Sequence, residues 1–211
     1  MYKPYKIQYD TKEYQFRELI ESIIEDSNLE NLHEVKSYDL FEVTKEAKTI
    51  WHPKYYSKFE NEFYPLYVKF LTNIIKPHFN FSKMIYQKIP TFRIHLHDNV
   101  GVGGWHRDRE YNHTTGEINC WLPFTNTFGT NTIWMESEEG KEDFQSYSVD
   151  YGEVLIFDGV NLLHGNKRNE EHTTRVSVDF RVVSYDNFNP SEKSSLQNPT
   201  KFVIGEYFEK I

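Results

Sequence analysis

Between residues 173 and 182 the chain alternates strictly. Arg175, Ser177, Asp179 and Arg181 fall on one side of an extended backbone, and Val176, Val178, Phe180 and Val182 on the other. Side chains of a strand point alternately to its two faces, so this run is a strand with one charged and one apolar face. Two further runs repeat the pattern. In 91–97, Arg93, His95 and His97 oppose Phe92, Ile94 and Leu96; in 116–122, Glu117, Asn119 and Trp121 oppose Ile118, Cys120 and Leu122. Apolar-in and polar-to-water describes most antiparallel sheets. Arg and His recurring on strand faces, beside a large helical half that needs a surface to cover, favour another arrangement: helices cover the apolar faces and the polar faces line a cavity.

The strand-rich part spans residues 89–184, with candidates at 91–97, 104–109, 116–124, 131–137, 145–149, 153–158, 162–167 and 173–184. Turn signals separate them at Asp98–Gly104, Glu138–Lys141, Asp158-Gly159 and Gly165-Asn166. About eight short strands spaced this way predict an all-β sandwich or barrel. Residues 1–88 read mostly helical. Asp10-Thr-Lys-Glu13 has capping-box spacing, and Phe16, Leu19, Ile20, Ile23 and Ile24 follow the helical repeat. Phe63, Leu66, Tyr67, Phe70, Leu71 and Ile74 do the same; this helix is expected to stop before Pro77, with Pro65 setting off a separate short helix around 55–64. Residues 185–200 read as a polar loop, after which Phe202, Val203, Ile204, Tyr207 and Phe208 dock back on the body. The 211 residues make one domain: helical support (1–88), β core (89–184) and a C-terminal extension (185–211).

Composition narrows the class. A net charge of −8, with the 24 Lys and Arg scattered, speaks against a nucleic-acid partner. Phe, Tyr and Trp make up 17%, which excludes a disordered chain. No run approaches the ~18 apolar residues of a membrane span, and the first residues carry no signal-peptide apolar region. A single cysteine, Cys120, leaves no disulfide framework and suits a reducing cytosol, so the expected location is cytoplasmic. Oligomeric state is not readable.

The chemistry lies in three short motifs. His106 and Asp108, two apart, point the same way if they share a strand and can hold one metal together. His164 follows a buried apolar run, Val154–Phe157. Arg175 and Ser177, eleven and thirteen residues beyond His164, share a face and can grip a carboxylate with a guanidinium fork and a hydroxyl. Each motif alone is commonplace. Together, two histidines and one carboxylate make the facial triad of non-heme iron(II), which leaves coordination sites open.

The chain resembles the iron(II)/2-oxoglutarate-dependent dioxygenases over residues 90–183. The segments Gly104-Trp105-His106-Arg107-Asp108-Arg-Glu-Tyr-Asn-His113, Glu117–Pro123 and Thr174–Arg181 are similar to a small-molecule hydroxylase branch related to phytanoyl-CoA dioxygenases, with members in aminoglycoside-biosynthesis clusters. The resemblance implies a double-stranded β-helix (jelly roll, cupin-like) with N-terminal helices on the larger sheet. It implies His106, Asp108 and His164 as iron(II) ligands. The cosubstrate 2-oxoglutarate would chelate the metal and be held at its far carboxylate by Arg175 and Ser177, with Asn119 a further contact; oxygen takes the last site. The reaction implied is hydroxylation of a small polar metabolite (a sugar, cyclitol, amino acid or derivative), with 2-oxoglutarate going to succinate and CO2. Arg93, His97, Arg109, His113 and Trp134 are substrate candidates; Trp105, Trp121 and Trp134 are candidates for a water-poor wall. Three alternatives remain: a non-catalytic jelly-roll metal- or ligand-binding module, a zinc hydrolase on a similar fold, and, from the spacing of Arg175 and Arg181, a nucleic-acid dealkylase. That pair also leaves open which arginine clamps 2-oxoglutarate.

Overall fold

The computed structural model describes residues 3–35, 49–101, 104–195 and 198–211. A seven-stranded antiparallel sheet dominates it. Strands β1 (Tyr5–Gln8), β2 (Met84–Gln87), β3 (Thr91–His95), β4 (Ile118–Pro123), β7 (Glu153–Phe157), β9 (Arg175–Ser184) and β12 (Phe208–Lys210) are ordered β1-β7-β4-β9-β2-β12, with β3 also pairing β9. A second sheet joins β6 (Gln145–Tyr147), β5 (Ile133–Met135) and β8 (His164–Gly165), and β10 (Ser191–Ser195) pairs with β11 (Asn198–Phe202).

The alternation of β9 sets the layers. Its even-numbered residues Val176 to Val182 join Phe92, Ile94, Ile118, Cys120, Leu122, Val154 and Ile156 in one buried cluster with helical residues Phe16, Ile20, Ile23, Tyr55, Phe59, Phe63, Tyr67 and Phe70. The rings interlock; Phe16 packs on Phe63, Phe70 and Phe124, and Tyr55 stacks on Phe92 at 4.4 Å. Full burial of such a side chain contributes about 1.5–3 kcal/mol. On the other face, Trp121, Leu155 and Phe157 meet Ile133 and Met135 of the smaller sheet and Leu162. The polar residues of β9 and β4 therefore lie between the two sheets.

Several sequence expectations are corrected. Helix α1 runs Phe16–Ile24, so Asp10 does not cap it; the Asp10 carboxylate accepts the N–H of Lys12 in a local turn. The helix ends where Glu25 turns left-handed at φ 59°. Neither Pro65 nor Pro77 stops the second helical stretch. It runs through α2 (Trp51–Lys58) and α3 (Tyr64–Phe70) to His78, with π-helical turns at Phe59–Phe63 and Leu71–Ile75 just ahead of the two prolines. Such a widened turn absorbs the lost N–H and the clash of the ring with the preceding turn. Strands β1 and β2 lie in the half expected to be helical, and β10 and β11 within and beyond the expected polar loop. The C-terminal segment docks as expected, with Phe202 and Phe208 buried against Ile85 and Val183. No strand forms at 104–109. The Gly-rich turn Asp98–Gly104 lies partly outside the described residues, at positions 102 and 103.

Candidate metal centre

The reading of His106 and Asp108 as neighbours on one strand is replaced by a different device. His106 makes an isolated antiparallel bridge with His164, N–H to O at 3.0 Å in both directions, and the chain then enters a 3-10 turn, Asp108–Tyr111. The Asp108 N–H donates to Gly159 O at 2.8 Å, pinning that turn to the Asp158-Gly159 corner. Two backbone ties thus bring together what a strand was expected to align. Among the described residues, His106, Asp108 and His164 are the one group whose ligand atoms all lie within 4.8 Å of one another.

The protonation pattern suits a metal. Nδ1 of His106 lies 2.6 Å from Gly104 O, and Nδ1 of His164 2.9 Å from Leu162 O. A carbonyl only accepts, so each Nδ1 carries a proton and each Nε2 is the nitrogen left to face inward. Those nitrogens stand 3.4 Å and 3.8 Å from Asp108 Oδ1. Oδ2 faces away and accepts from Arg181 Nε (3.0 Å) and Nη2 (2.8 Å) and from Asn119 Nδ2 (2.7 Å). Burial alone raises the Asp108 pKa, but Arg181 and the histidines outweigh it and hold the carboxyl well below its usual range. Burial lowers His164 to about 4, against the pull of Asp108, keeping the imidazole neutral. Two imidazole nitrogens and an ionised carboxylate oxygen form a donor set that iron(II) fits.

Farther along the polar face of β9, Arg175 and Ser177 are both buried. Arg175 Nη1 donates to Asn131 O at 2.9 Å and Asn166 Oδ1 at 2.7 Å, and its guanidinium lies 5.4 Å from the Trp121 ring. Ser177 Oγ accepts from Trp121 Nε1 at 3.1 Å, leaving its own hydroxyl proton to donate. Strand β4 pairs Asn119 with Arg181, Trp121 with Asp179 and Pro123 with Ser177. Trp121 therefore sits between the triad end of the face and the Arg175 end.

The remaining candidates fall in different places. Arg93 is ion-paired with Asp179 at 2.9 Å. His95, opposite Arg175 on β3, donates from Nε2 to Asn99 O at 2.9 Å, and burial first and Arg175 second lower it to about 3. A backbone carbonyl accepts, so this Nε2 is the protonated nitrogen. His97 lies beyond the end of β3 and packs between His33 and His172, not beside Arg93. His113 bonds to buried Glu117 at 2.7 Å and packs on Phe202 and Tyr207, which fastens the C-terminal segment. Arg109 is half exposed and paired with Glu139. Arg107 turns to buried Glu136 at 2.8 Å. Trp134 pairs across from Gly165, whereas Met135 pairs with His164. By the pleat, Met135 and His164 face inward and Trp134 faces outward, where Lys167 Nζ lies 3.3 Å from its ring centroid. Trp105 is partly exposed against Phe144 and Gly165. Of the three tryptophans expected to form a wall, Trp121 alone is buried between the sheets. Tyr111 packs edge-on to His106 at 4.9 Å.

Sequence reasoning did not foresee Arg181 and Asn119 as partners of Asp108, nor Gly159. The period-two pattern put Asn119 and Arg181 on the right face, but only the β4–β9 register places them side by side.

No family model matches the chain. The streptomycin biosynthesis protein StrG of Streptomyces griseus is 32% identical over 211 residues, covering all of both chains. Two solved structures share the fold at low identity. SnoK, described as a non-heme alpha-ketoglutarate-dependent carbocyclase from nogalamycin biosynthesis, aligns with a TM-score of 0.56 at 10% identity over 99% of this chain and 91% of its own. HygX of Streptomyces hygroscopicus, with nickel and 2-oxoglutarate bound, aligns at 0.51 and 11% identity over 86% and 83%.

Proposed function

The chain belongs to the family of the streptomycin biosynthesis protein StrG, and from that premise and the geometry of the triad we propose that it is an iron(II)/2-oxoglutarate-dependent oxygenase that hydroxylates a small polar metabolite on a biosynthetic route. We read the two facing sheets as the double-stranded β-helix of such enzymes and the whole chain as one catalytic domain. The observation that carries the reading is the pair of Nε2 atoms facing a single carboxylate oxygen, with both Nδ1 protons and the second carboxylate oxygen already committed elsewhere.

In this reading Nε2 of His106, Nε2 of His164 and Oδ1 of Asp108 hold iron(II), and Arg175 with the Ser177 hydroxyl binds the far carboxylate of 2-oxoglutarate. When bound, the pair supplies the oxidation, coupling conversion of 2-oxoglutarate and oxygen to succinate and CO2 with oxygen insertion at a substrate C–H. The protein's part is orientation and shelter. The Gly104 and Leu162 carbonyls fix the imidazole planes. Trp121 orients the Ser177 hydroxyl, and Trp121, Leu155, Phe157, Met135 and Leu162 keep water from the space between clamp and triad. In this reading Arg93, ion-paired with Asp179, and Tyr111, edge-on to His106, would meet the substrate.

Anaerobic addition of iron(II) and then 2-oxoglutarate to the metal-free protein tests this. A weak visible charge-transfer band is expected and is lost in His106→Ala. A folded protein that binds metal yet gives no band with 2-oxoglutarate rules out the oxygenase and favours the binding-module or zinc-hydrolase alternative.

A further inference from the structure

We propose that Arg181, assisted by Asn119, is a positioning residue that restricts Asp108 to one-oxygen metal coordination. This rests on the reading of the triad as a metal centre and adds what makes three coordination positions available there. A carboxylate has two equivalent oxygens and can bind a cation through either or both. Here the two are made unlike. Oδ2 receives three N–H donors, Nε and Nη2 of Arg181 and Nδ2 of Asn119, at 3.0, 2.8 and 2.7 Å. Three donors saturate its lone pairs, and Oδ1 alone remains toward the histidines.

The donors are themselves immobilised from three directions. Arg181 Nη1 donates to Gln87 Oε1 on β2 at 3.2 Å, and Gln87 Nε2 donates to Ile89 O and Thr91 Oγ1, which decides which way that amide faces. The Tyr207 hydroxyl lies 3.5 Å from the same Nη1. Asn119 is wedged against Gly159, where a Cβ would lie 2.5 Å from its Nδ2. The Asp108 backbone is held by the carbonyl of that same glycine. Strands β4 and β9 thus supply the donors to the carboxylate oxygen turned away from the histidines, and β2 braces Arg181 through Gln87. A carboxylate bound through both oxygens would occupy a fourth of six positions and leave two; bound through Oδ1 it leaves three, which is what a chelating 2-oxoacid and oxygen together require. Arg181 and Arg175, similar in the sequence, then have separate places: Arg181 orders the metal ligand, and Arg175 lies at the other end of the β9 face, bonded to Asn131 and Asn166.

Cobalt(II) binding by the full-length, metal-free protein tests this without turnover, read as affinity and as the positions of the visible d–d bands. Arg181→Gln and Asn119→Ala are expected to weaken cobalt binding by about 10- to 100-fold, the usual consequence of removing an outer partner of a metal ligand, and to shift the bands as Oδ2 is released. Arg181→Lys restores the charge without the two-pronged contact and should recover part of the affinity. If Arg181→Gln does not fold, Asn119→Ala, which loses one hydrogen bond and no charge, decides. Unshifted bands and native affinity in the folded variants overturn the proposal whatever their melting temperatures, while leaving the metal centre in place. Failure of the wild type to bind cobalt, or binding unaffected by His106→Ala, removes the metal centre and this proposal with it.

Discussion

Gly159→Ala isolates the most crowded point of the site. The added methyl would stand 2.5, 2.7 and 2.8 Å from the side-chain atoms of Asn119, inside any real carbon contact, so the amide has to move. Asn119 is 3% exposed, and moving its amide away from the methyl breaks its hydrogen bond to Asp108 Oδ2. A hydrogen bond to a charged group contributes about 1.5–3 kcal/mol. At about 2–4 °C per kcal/mol for a domain of this size, the melting temperature should fall by about 3–12 °C. Denaturant unfolding of the metal-free protein gives the same quantity at constant temperature. The decisive arm is a double-mutant cycle. In an Asn119→Ala background the methyl meets no amide, so Gly159→Ala should cost far less there, and the two single losses should not add. Strictly additive losses would show that the glycine is required for another reason, and an unchanged melting temperature in Gly159→Ala would refute the packing argument outright.

Three further outcomes are expected. Arg175→Gln should raise the dissociation constant for 2-oxoglutarate about 10- to 150-fold in an anaerobic titration, the equivalent of about 1.5–3 kcal/mol for a charge-assisted contact; an unchanged constant moves the clamp elsewhere. Burial lowers His52 to about 4 and His95 to about 3 from an ordinary 6.5. Their folded pKa values are depressed, so the stability they preserve is complete above about pH 6.5. It is lost as pH falls toward 4, by up to about 1.4 kcal/mol per pH unit for each, because the unfolded chain takes up protons that the folded chain refuses. The denaturation midpoint followed from pH 7.5 to 4.5 should fall, and less steeply in His52→Gln; equal slopes in the two proteins would contradict this. Cys120 is fully buried and burial pushes its thiol up, so a thiol reagent should label it only in denaturant; fast labelling of the native protein would show that the sheet face opens.

The triad and the two faces of β9 were legible because both rest on local rules: the period of two, and the rarity of two histidines and a carboxylate in combination. What failed failed for non-local reasons. His106 and Asp108 meet through a bridge to His164 and a bond to Gly159, more than fifty residues on, and no spacing within 104–109 encodes either. The assignment of Trp134 to the cavity depended on a register that only the pairing of Met135 with His164 settles. Strands β1 and β2 were read as part of a helical half because four residues carry too few periods to tell the two patterns apart. The prolines misled because they signal a lost donor, not the π-helical turn that accommodates the loss.

The order β1-β7-β4-β9-β2-β12 also bears on how quickly the molecule is made. Both edges of the large sheet close over long stretches of chain: Lys6 of β1 reaches Glu153 of β7, 147 positions away, and Phe208 of β12 pairs with Gln87 of β2. Loop-closure entropy must be met before such pairings return any stability, so folding should be slow, in the range of milliseconds to seconds typical of β topologies. During that interval β7 and β2 stand as open edges, able to pair with other chains. Yield of folded protein should therefore depend on synthesis rate and temperature more than the packing of the finished sheet would suggest.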